Sequence, residues 1–204
     1  MTGRLVLATH NAHKLGEVRA ILAAAIPELD PLDIVSAPDL GAEEPVEDGV
    51  TFEANALIKA RALAEHTGLP ALADDSGLAV DVMGGAPGIF SARWCGHHGD
   101  DAANLRVLLG QLADVPDEHR GAEFVCAAVL VMPDGREVVE TGRLRGHLLR
   151  APLGEGGFGY DPILVPEGET RSCAQLTPEE KNAISHRGEA FRALAPMLAA
   201  ILEL

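Results

Sequence analysis

PALADDSGLAVDVMGGAPG, residues 70 to 88, runs from a short apolar segment straight into two adjacent carboxylates, Asp74 and Asp75, followed by Ser76 and Gly77. An apolar run of this length bounded by turn residues fits a buried strand. The reading is therefore a strand that stops at an Asp-Asp-Ser-Gly turn and sets its acids on the rim of a sheet. Paired acids on such a rim suit a hard cation, which takes oxygen ligands; an ordinary Asp-Ser-Gly turn fits the same residues. Leu78 to Met83 reads as a further strand, and Gly84 to Gly88 as a sharp bend.

Working back towards the N-terminus, Arg4 to Thr9 reads as a buried strand, and Asn11 as the N-cap of a helix that carries Lys14 in its first turn. Strand, polar loop and helix start together form an anion cradle, with backbone N–H groups pointing outward and a favourable helix dipole. Asp33 to Ala37 is a second expected strand. The acidic loop after it holds Glu43, Glu44, Glu47 and Asp48. A helix then runs from a Thr51 cap to about Gly68, with Phe52, Ala56, Ala60 and Leu63 on one face and Asn55 and Lys59 one turn apart along its edge.

Beyond residue 88 come Trp94, read as a core or interface residue, and an amphipathic helix from Asp101 to Leu112. Two strands follow, Glu123 to Met132 and Arg136 to Leu148, joined at Pro133-Asp134-Gly135 as a hairpin. Pro152 to Pro162 is too rich in glycine for regular structure; it reads as a loop allowing close approach to a ligand, with Phe158 and Tyr160 as aromatic surface. Thr177 to Glu180 is a capping box that makes Lys181 an early-helix residue. His186 and Arg187 open the last helix, either as a donor pair able to read an acceptor edge or as a surface cap, and that helix is expected to bend at Pro196. Early alternation of strands and helices with a later hairpin makes the fold α/β with a mixed sheet.

Composition narrows the function. The 204 residues are 47% hydrophobic and 23% charged, a globular balance that reads as a single domain over the whole chain. No apolar run reaches the roughly 18 residues of a membrane span and no signal peptide opens the chain, so a soluble, cytoplasmic protein with no membrane partner is expected. Cys95, Cys126 and Cys173 are widely spaced and read as reduced packing residues. A net charge of −15 speaks against nucleic acid as a partner, because that surface needs a positive field. Phosphate would need local cations or a metal. Of 16 basic residues only three are lysines, Lys14, Lys59 and Lys181, and each falls in a stretch singled out above.

Six segments in series, THNAHK (Thr9 to Lys14), VEDGVTFEANALIKA (Val46 to Ala60), ADDSGLAVD (Ala73 to Asp81), GGAPGIFSAR (Gly84 to Arg93), GGFGYDP (Gly156 to Pro162) and EEKNAISHRG (Glu179 to Gly188), resemble the RdgB-type inosine triphosphate pyrophosphatase family over essentially the whole chain. The resemblance implies a Mg²⁺-dependent hydrolase that converts ITP, dITP and XTP to the monophosphate and pyrophosphate. It also implies a homodimer whose protomer has a long mixed β-sheet flanked by helices, in two lobes with a central nucleotide cleft. Site residues follow motif by motif. The phosphate loop covers Thr9, His10, Asn11, Ala12, His13 and Lys14, with Asn55 and Lys59 from the helix. Asp75 is base and metal ligand with Ser76 beside it, and Glu47, or its neighbour Asp48, is the second metal ligand. Phe158, Gly159, Tyr160 and Asp161 surround base and sugar, joined by Lys181, His186 and Arg187. The family commonly has Gly where this chain has His10.

Elementary chemistry runs the same way. Cleavage between the α and β phosphorus needs the departing pyrophosphate neutralised, which Mg²⁺ with Lys14, Lys59 and Lys181 would do. Donors aimed at the 6-oxo group of hypoxanthine or xanthine would reject the 6-amino group of adenine. Two other readings stand beside this one: a phosphohydrolase for another nucleoside triphosphate, and a nucleotide sensor without turnover.

Overall fold

The computed structural model describes residues 5–204; Arg4, placed in the first expected strand, lies outside the described residues. In chain order the elements are β1 (Leu5–Leu7), α1 (Ala12–Ala25), β2 (Ile34–Ser36), α2 (Phe52–Thr67), β3 (Ala71–Val80), α3 (Asp101–Gln111), β4 (Gly121–Val131), β5 (Glu137–Leu148), β6 (Leu164–Pro166), α4 (Pro178–Ile184) and α5 (His186–Leu202). The strands form a six-stranded sheet in the order β2-β1-β3-β4-β5-β6, parallel from β1 to β2 and β3 and antiparallel from β5 to β6. The expected mixed α/β sheet is present, as is the turn at residues 133–135, where Gly135 N donates to the Met132 carbonyl at 2.9 Å.

The stretch from which the fold was read needs correcting. Asp74-Asp75-Ser76-Gly77 is no turn: β3 runs unbroken through it, and the expected strand from Leu78 to Met83 is only the end of β3, with Asp81–Met83 in a 3-10 turn. Local turn chemistry lost to strand continuity: β3 lies between β1, which pairs with it at Ala71 and Leu72, and the long strand β4. The two carboxylates are therefore interior, 1% and 8% exposed, and not on a rim.

Contacts divide the chain into two compact units. The first comprises residues up to Asp75, Cys126–Gly142 and Arg187–Leu204; the second comprises Ser76–Val125 and Arg143–His186. In the first unit, Leu5, Leu7 and Leu72 pack with Val18 and Leu22 of α1 and Phe191 and Leu194 of α5. Val6, Ala71 and Ala73 pack instead with Ala56, Ala60 and Leu63 of α2. Side chains alternate along a strand, so this partition settles where the acids point. Asp74 continues the Leu72 face, towards α1 and α5, and Asp75 continues the Ala73 face, towards α2.

In the second unit, Leu78, Leu105, Leu108, Phe124, Leu148, Tyr160 and Ile163 form the core, with Trp94 packed against it as expected. Cys126 and Cys173 are buried packing residues, and burial pushes the Cys173 thiol up to about 12. The short strand β6, on the apolar run Ile163-Leu164-Val165, is not among the strands expected from the sequence. It lies so close to β5 that a Cβ on Gly146 would stand 2.2 Å from the Val165 carbonyl oxygen. Gly146→Ala should therefore cost about 1–3 kcal/mol, seen as a lower urea midpoint at unchanged slope; an unshifted midpoint would show that β6 gives way freely.

Candidate active site

Helix starts place the polar groups of the first unit. Asn11 caps α1, its Oδ1 accepting from His13 N at 2.9 Å and Lys14 N at 3.3 Å, while Asn11 N donates to Thr9 Oγ1 at 3.1 Å. The expected cradle of outward amides is thus corrected in part, because these three N–H groups are bonded within the loop itself. Ala12 and His13 are exposed. His10 Nδ1 stands 3.9 Å from Glu44 Oε2 and so faces the acidic loop. Lys14 reaches back along α1 to within 3.4 Å of Asp74 Oδ2, a carboxylate that offsets its unfavourable place in the helix dipole.

Asp74 is the centre of a buried ion cluster. Its Oδ2 accepts from Arg187 Nη2 at 3.1 Å and Nε at 3.3 Å and lies 3.9 Å from the Cys126 thiol, and Arg187 also pairs with Glu17. Of the two readings of Arg187, the surface cap is the one the burial contradicts. Its guanidinium is 2% exposed and bound to two carboxylates. Burial opposes its charge, yet Asp74 foremost, with Cys126 and Glu17, more than restores it, so Arg187 stays protonated.

The other face of β3 carries different chemistry. Asn55 Nδ2 donates to Asp75 Oδ2 at 3.2 Å, and Lys59 Nζ sits 2.8 Å from Glu47 Oε1 and 3.8 Å from Asp75 Oδ1. Asn55 and Lys59 are one turn apart on α2, as the helical wheel required, and both are buried. Of the two adjacent acids in the loop, Glu47 reaches Lys59 and Asp48 is exposed. Burial raises the Asp75 carboxyl above the usual carboxylate range and Glu47 adds to this, while Lys59, Lys14 and Asn55 oppose it. For Lys59 burial works against the charge, but Asp75, Asp74 and Glu47 outweigh it and its ammonium is held protonated. Gly49 lets the acidic loop lie on α2: a Cβ there would stand 2.6 Å from Asn55 Oδ1. Beside Lys59 opens a cavity of about 370 Å³, whose polar lining includes His10, Glu43, Glu44 and His66.

In the second unit the glycine-rich loop is shaped by its own chain. Cβ atoms on Gly154 and Gly156 would fall 2.7 and 2.9 Å from the Ala174 backbone, and one on Gly157, at φ +70°, would fall 2.1 Å from Asp161 Oδ2. The close approach expected for a ligand is at these positions an approach to protein. Asp161 Oδ2 accepts from Phe158 N at 2.8 Å and from Lys181 Nζ at 2.7 Å, and the same ammonium lies 4.8 Å from the centre of the Phe158 ring. Tyr160 is no aromatic surface. It is buried in the core with its hydroxyl donating to the Ser91 carbonyl at 2.9 Å, and burial raises its ionisation. His186 is also buried, its ring stacked on Phe124 at 4.9 Å, and Ser76 is half-buried in β3. Lys181 Nζ is paired with Asp161 within the second unit.

Sequence reasoning missed Glu17, Cys126 and Asp101, which accepts from Gly159 N at 2.9 Å. Only Glu17 carried a signal, lying one turn beyond Lys14 on α1.

Two carboxylates converging on one buried ammonium are chemistry for a divalent cation and an anion. Glu47 and Asp75 both reach towards Lys59 Nζ, so a cation can be held where that ammonium now balances them. Among the described residues no group of three or more His, Cys, Asp or Glu side chains is placed to hold a metal alone. Two carboxylates completed by water and phosphate oxygens suit Mg²⁺, which seldom takes an all-protein cage.

The sequence pattern of the Ham1 family matches residues 5–197. A dITP/XTP pyrophosphatase of Streptomyces coelicolor is 64% identical, with 98% of each chain covered, and one of Corynebacterium efficiens is 56% identical, with 96% of this chain and 97% of the other covered. Among solved structures, a HAM1 protein from Coxiella burnetii superposes with a TM-score of 0.84 at 38% identity, covering 96% of this chain and 98% of the other. A nucleoside-triphosphatase, or dITP/XTP pyrophosphatase, from Mycobacterium abscessus gives a TM-score of 0.74 at 53% identity over 95% and 98%. The resemblance drawn from the six motifs is thereby borne out.

Proposed function

Since the chain belongs to the Ham1 family, we propose that it hydrolyses the deaminated purine nucleoside triphosphates dITP, XTP and ITP to the monophosphate and pyrophosphate. The observation that carries this reading is the buried group Glu47, Lys59, Asp75 and Asn55, in which burial raises the Asp75 carboxyl and an amide donor orients it. A sensor without turnover needs cations for phosphate but no such carboxylate.

Glu47 and Asp75 would hold Mg²⁺, which when bound neutralises phosphate charge and draws electrons from the phosphorus under attack. Asp75 takes a proton from the attacking water, and Asn55, donating to Asp75 Oδ2, fixes the orientation of that carboxylate. Lys59 and Lys14 give positive charge to the phosphates, and the Thr9 to Lys14 loop positions them. In the second unit Phe158 offers a ring face to the purine. Lys181, whose ammonium has three N–H donors, serves Asp161 and a 6-oxo group together. Asp161 positions Phe158 and Lys181 and does not itself touch the base. Arg187 and the Tyr160 side chain drop out of the recognition set, being bound internally. Cytoplasmic residence with the nucleoside triphosphate pool, and a homodimer, belong to the same reading; size-exclusion chromatography with light scattering tests the dimer.

The deciding measurement is kcat/KM for ITP, XTP, GTP and ATP, with Mg²⁺ and without it. Turnover should require the ion, and ITP and XTP should exceed ATP by about 10²-fold or more, because a donor meeting adenine's amino group leaves both unpaired. Equal values for ITP and ATP would defeat the donor reading, and ATP preferred over ITP would favour a general triphosphate hydrolase.

A further inference from the structure

Lys59 and Glu47 neutralise one another at 2.8 Å, although the proposed function gives one to phosphate and the other to a metal. We infer that this ion pair makes the first-unit site take a divalent cation and a polyphosphate together and resist either alone. The inference rests on the function proposed above and assigns the pair a role in specificity: it selects the metal–polyphosphate complex.

Lys59 is 7% exposed and stands on a regular helix, so its ammonium cannot simply turn out into water when its partner leaves. A cation seated on Glu47 and Asp75 takes the oxygens that now balance Lys59, which lie 2.8 and 3.8 Å from its nitrogen. That cation then faces a buried ammonium at short range, where low dielectric strengthens repulsion. An anion approaching Lys59 alone meets the mirror problem, because it must lie against the Glu47 carboxylate. When both arrive, partners are exchanged: the carboxylates go to the cation, and the ammonium goes to phosphate oxygen. No buried charge is left unpaired, so each ligand raises the affinity for the other, and by linkage equally.

The two partners are built differently, as an exchange requires. Glu47 belongs to a loop without regular structure, beside Val46 and near Val50, which are 81% and 85% exposed, so its carboxylate can move while Lys59 stays.

Binding, not turnover, tests this. Mn²⁺ is titrated by electron paramagnetic resonance without any polyanion, and sodium pyrophosphate is titrated by calorimetry in EDTA, on the wild type and on variants whose fold is verified by circular dichroism. Lys59→Met should bind Mn²⁺ at least tenfold more tightly than the wild type, and Glu47→Gln should bind metal-free pyrophosphate at least tenfold more tightly. Lys14→Met removes an equal charge but leaves the pair intact, and should change Mn²⁺ affinity no more than threefold. No gain in Lys59→Met, or an equal gain in Lys14→Met, overturns the inference; if Lys59→Met does not fold, the pyrophosphate titration of Glu47→Gln decides by the same criterion. Asp75→Asn separates this from failure of the function itself. Mn²⁺ binding weakened there, with no gain in Lys59→Met, removes the pair's role alone, whereas undiminished Mn²⁺ binding in Asp75→Asn removes the metal site and the inference with it.

Discussion

Asp75→Asn should lower pyrophosphate release from ITP at least about 10³-fold while the protein stays folded, because it removes at once a general base and a carboxylate for the metal. Asparagine keeps the shape of the side chain and an oxygen to accept from Asn55 Nδ2, so the packing against α2 is retained. The stability side follows from the direction of the pKa shift. Asp75 is raised in the folded protein, by burial first, so the folded state binds its proton more readily than the unfolded chain does. Between the ordinary carboxylate value and the raised one, stability therefore falls as pH rises, and above that window the ionised form is a net cost to folding. An amide cannot ionise and escapes that cost, so at neutral pH the variant should melt no lower than the wild type. Turnover within tenfold of the wild type, with an unchanged circular dichroism spectrum, would sink the assignment of Asp75 as the base.

The parts legible in the sequence were those whose physics is local. Asn11, Thr51 and the Thr177–Glu180 capping box announce α1, α2 and α4 because a cap is decided within about four residues. Asn55 and Lys59 could be paired by arithmetic because helical spacing alone brings them together. What failed was non-local. Asp-Ser-Gly is a turn by every short-range rule, yet it lies inside β3, between β1 and β4 in the sheet, and a place in a sheet has no mark in residues 74–77 themselves. Arg187 looked like a helix-start donor because its partner Asp74 lies 113 residues away, too far for any local pattern to signal the burial. The loop glycines do mark close approach, but their close neighbours at Gly154, Gly156 and Gly157 are Ala174, Gln175, Leu176 and Asp161 of the same chain. The two adjacent aspartates lie on opposite faces of β3: Asp75 meets Asn55 and Lys59 on the α2 side, where the proposed reaction has its base, and Asp74 meets Lys14 and Arg187 on the α1 and α5 side.

That division makes Arg187→Met the second large prediction. Removing the guanidinium leaves Asp74, 1% exposed, and Glu17 without their shared cation, and breaking one partner of a buried ion cluster costs about 3–5 kcal/mol. For a chain of this size each kcal/mol lowers the melting temperature by about 2–4 °C, so calorimetry should show a fall of about 6–20 °C. Arg187→Lys should recover only part of it, because an ammonium lacks the fork that serves Asp74 through Nε and Nη2 while also reaching Glu17. A base-reading arginine would behave in the opposite way, with stability nearly intact and the ratio of kcat/KM for ITP over ATP collapsing. The burial of Arg187 predicts that this ratio changes less than threefold in whatever enzyme remains folded. A double-mutant cycle finishes the test. Asp74→Asn alone leaves Arg187 with one carboxylate, so Asp74→Asn with Arg187→Met should be less destabilised than the sum of the single variants, by about 1 kcal/mol or more. Strict additivity would mean that the two side chains stabilise the fold independently and that the Asp74–Arg187 contact is not what holds this part of the molecule together.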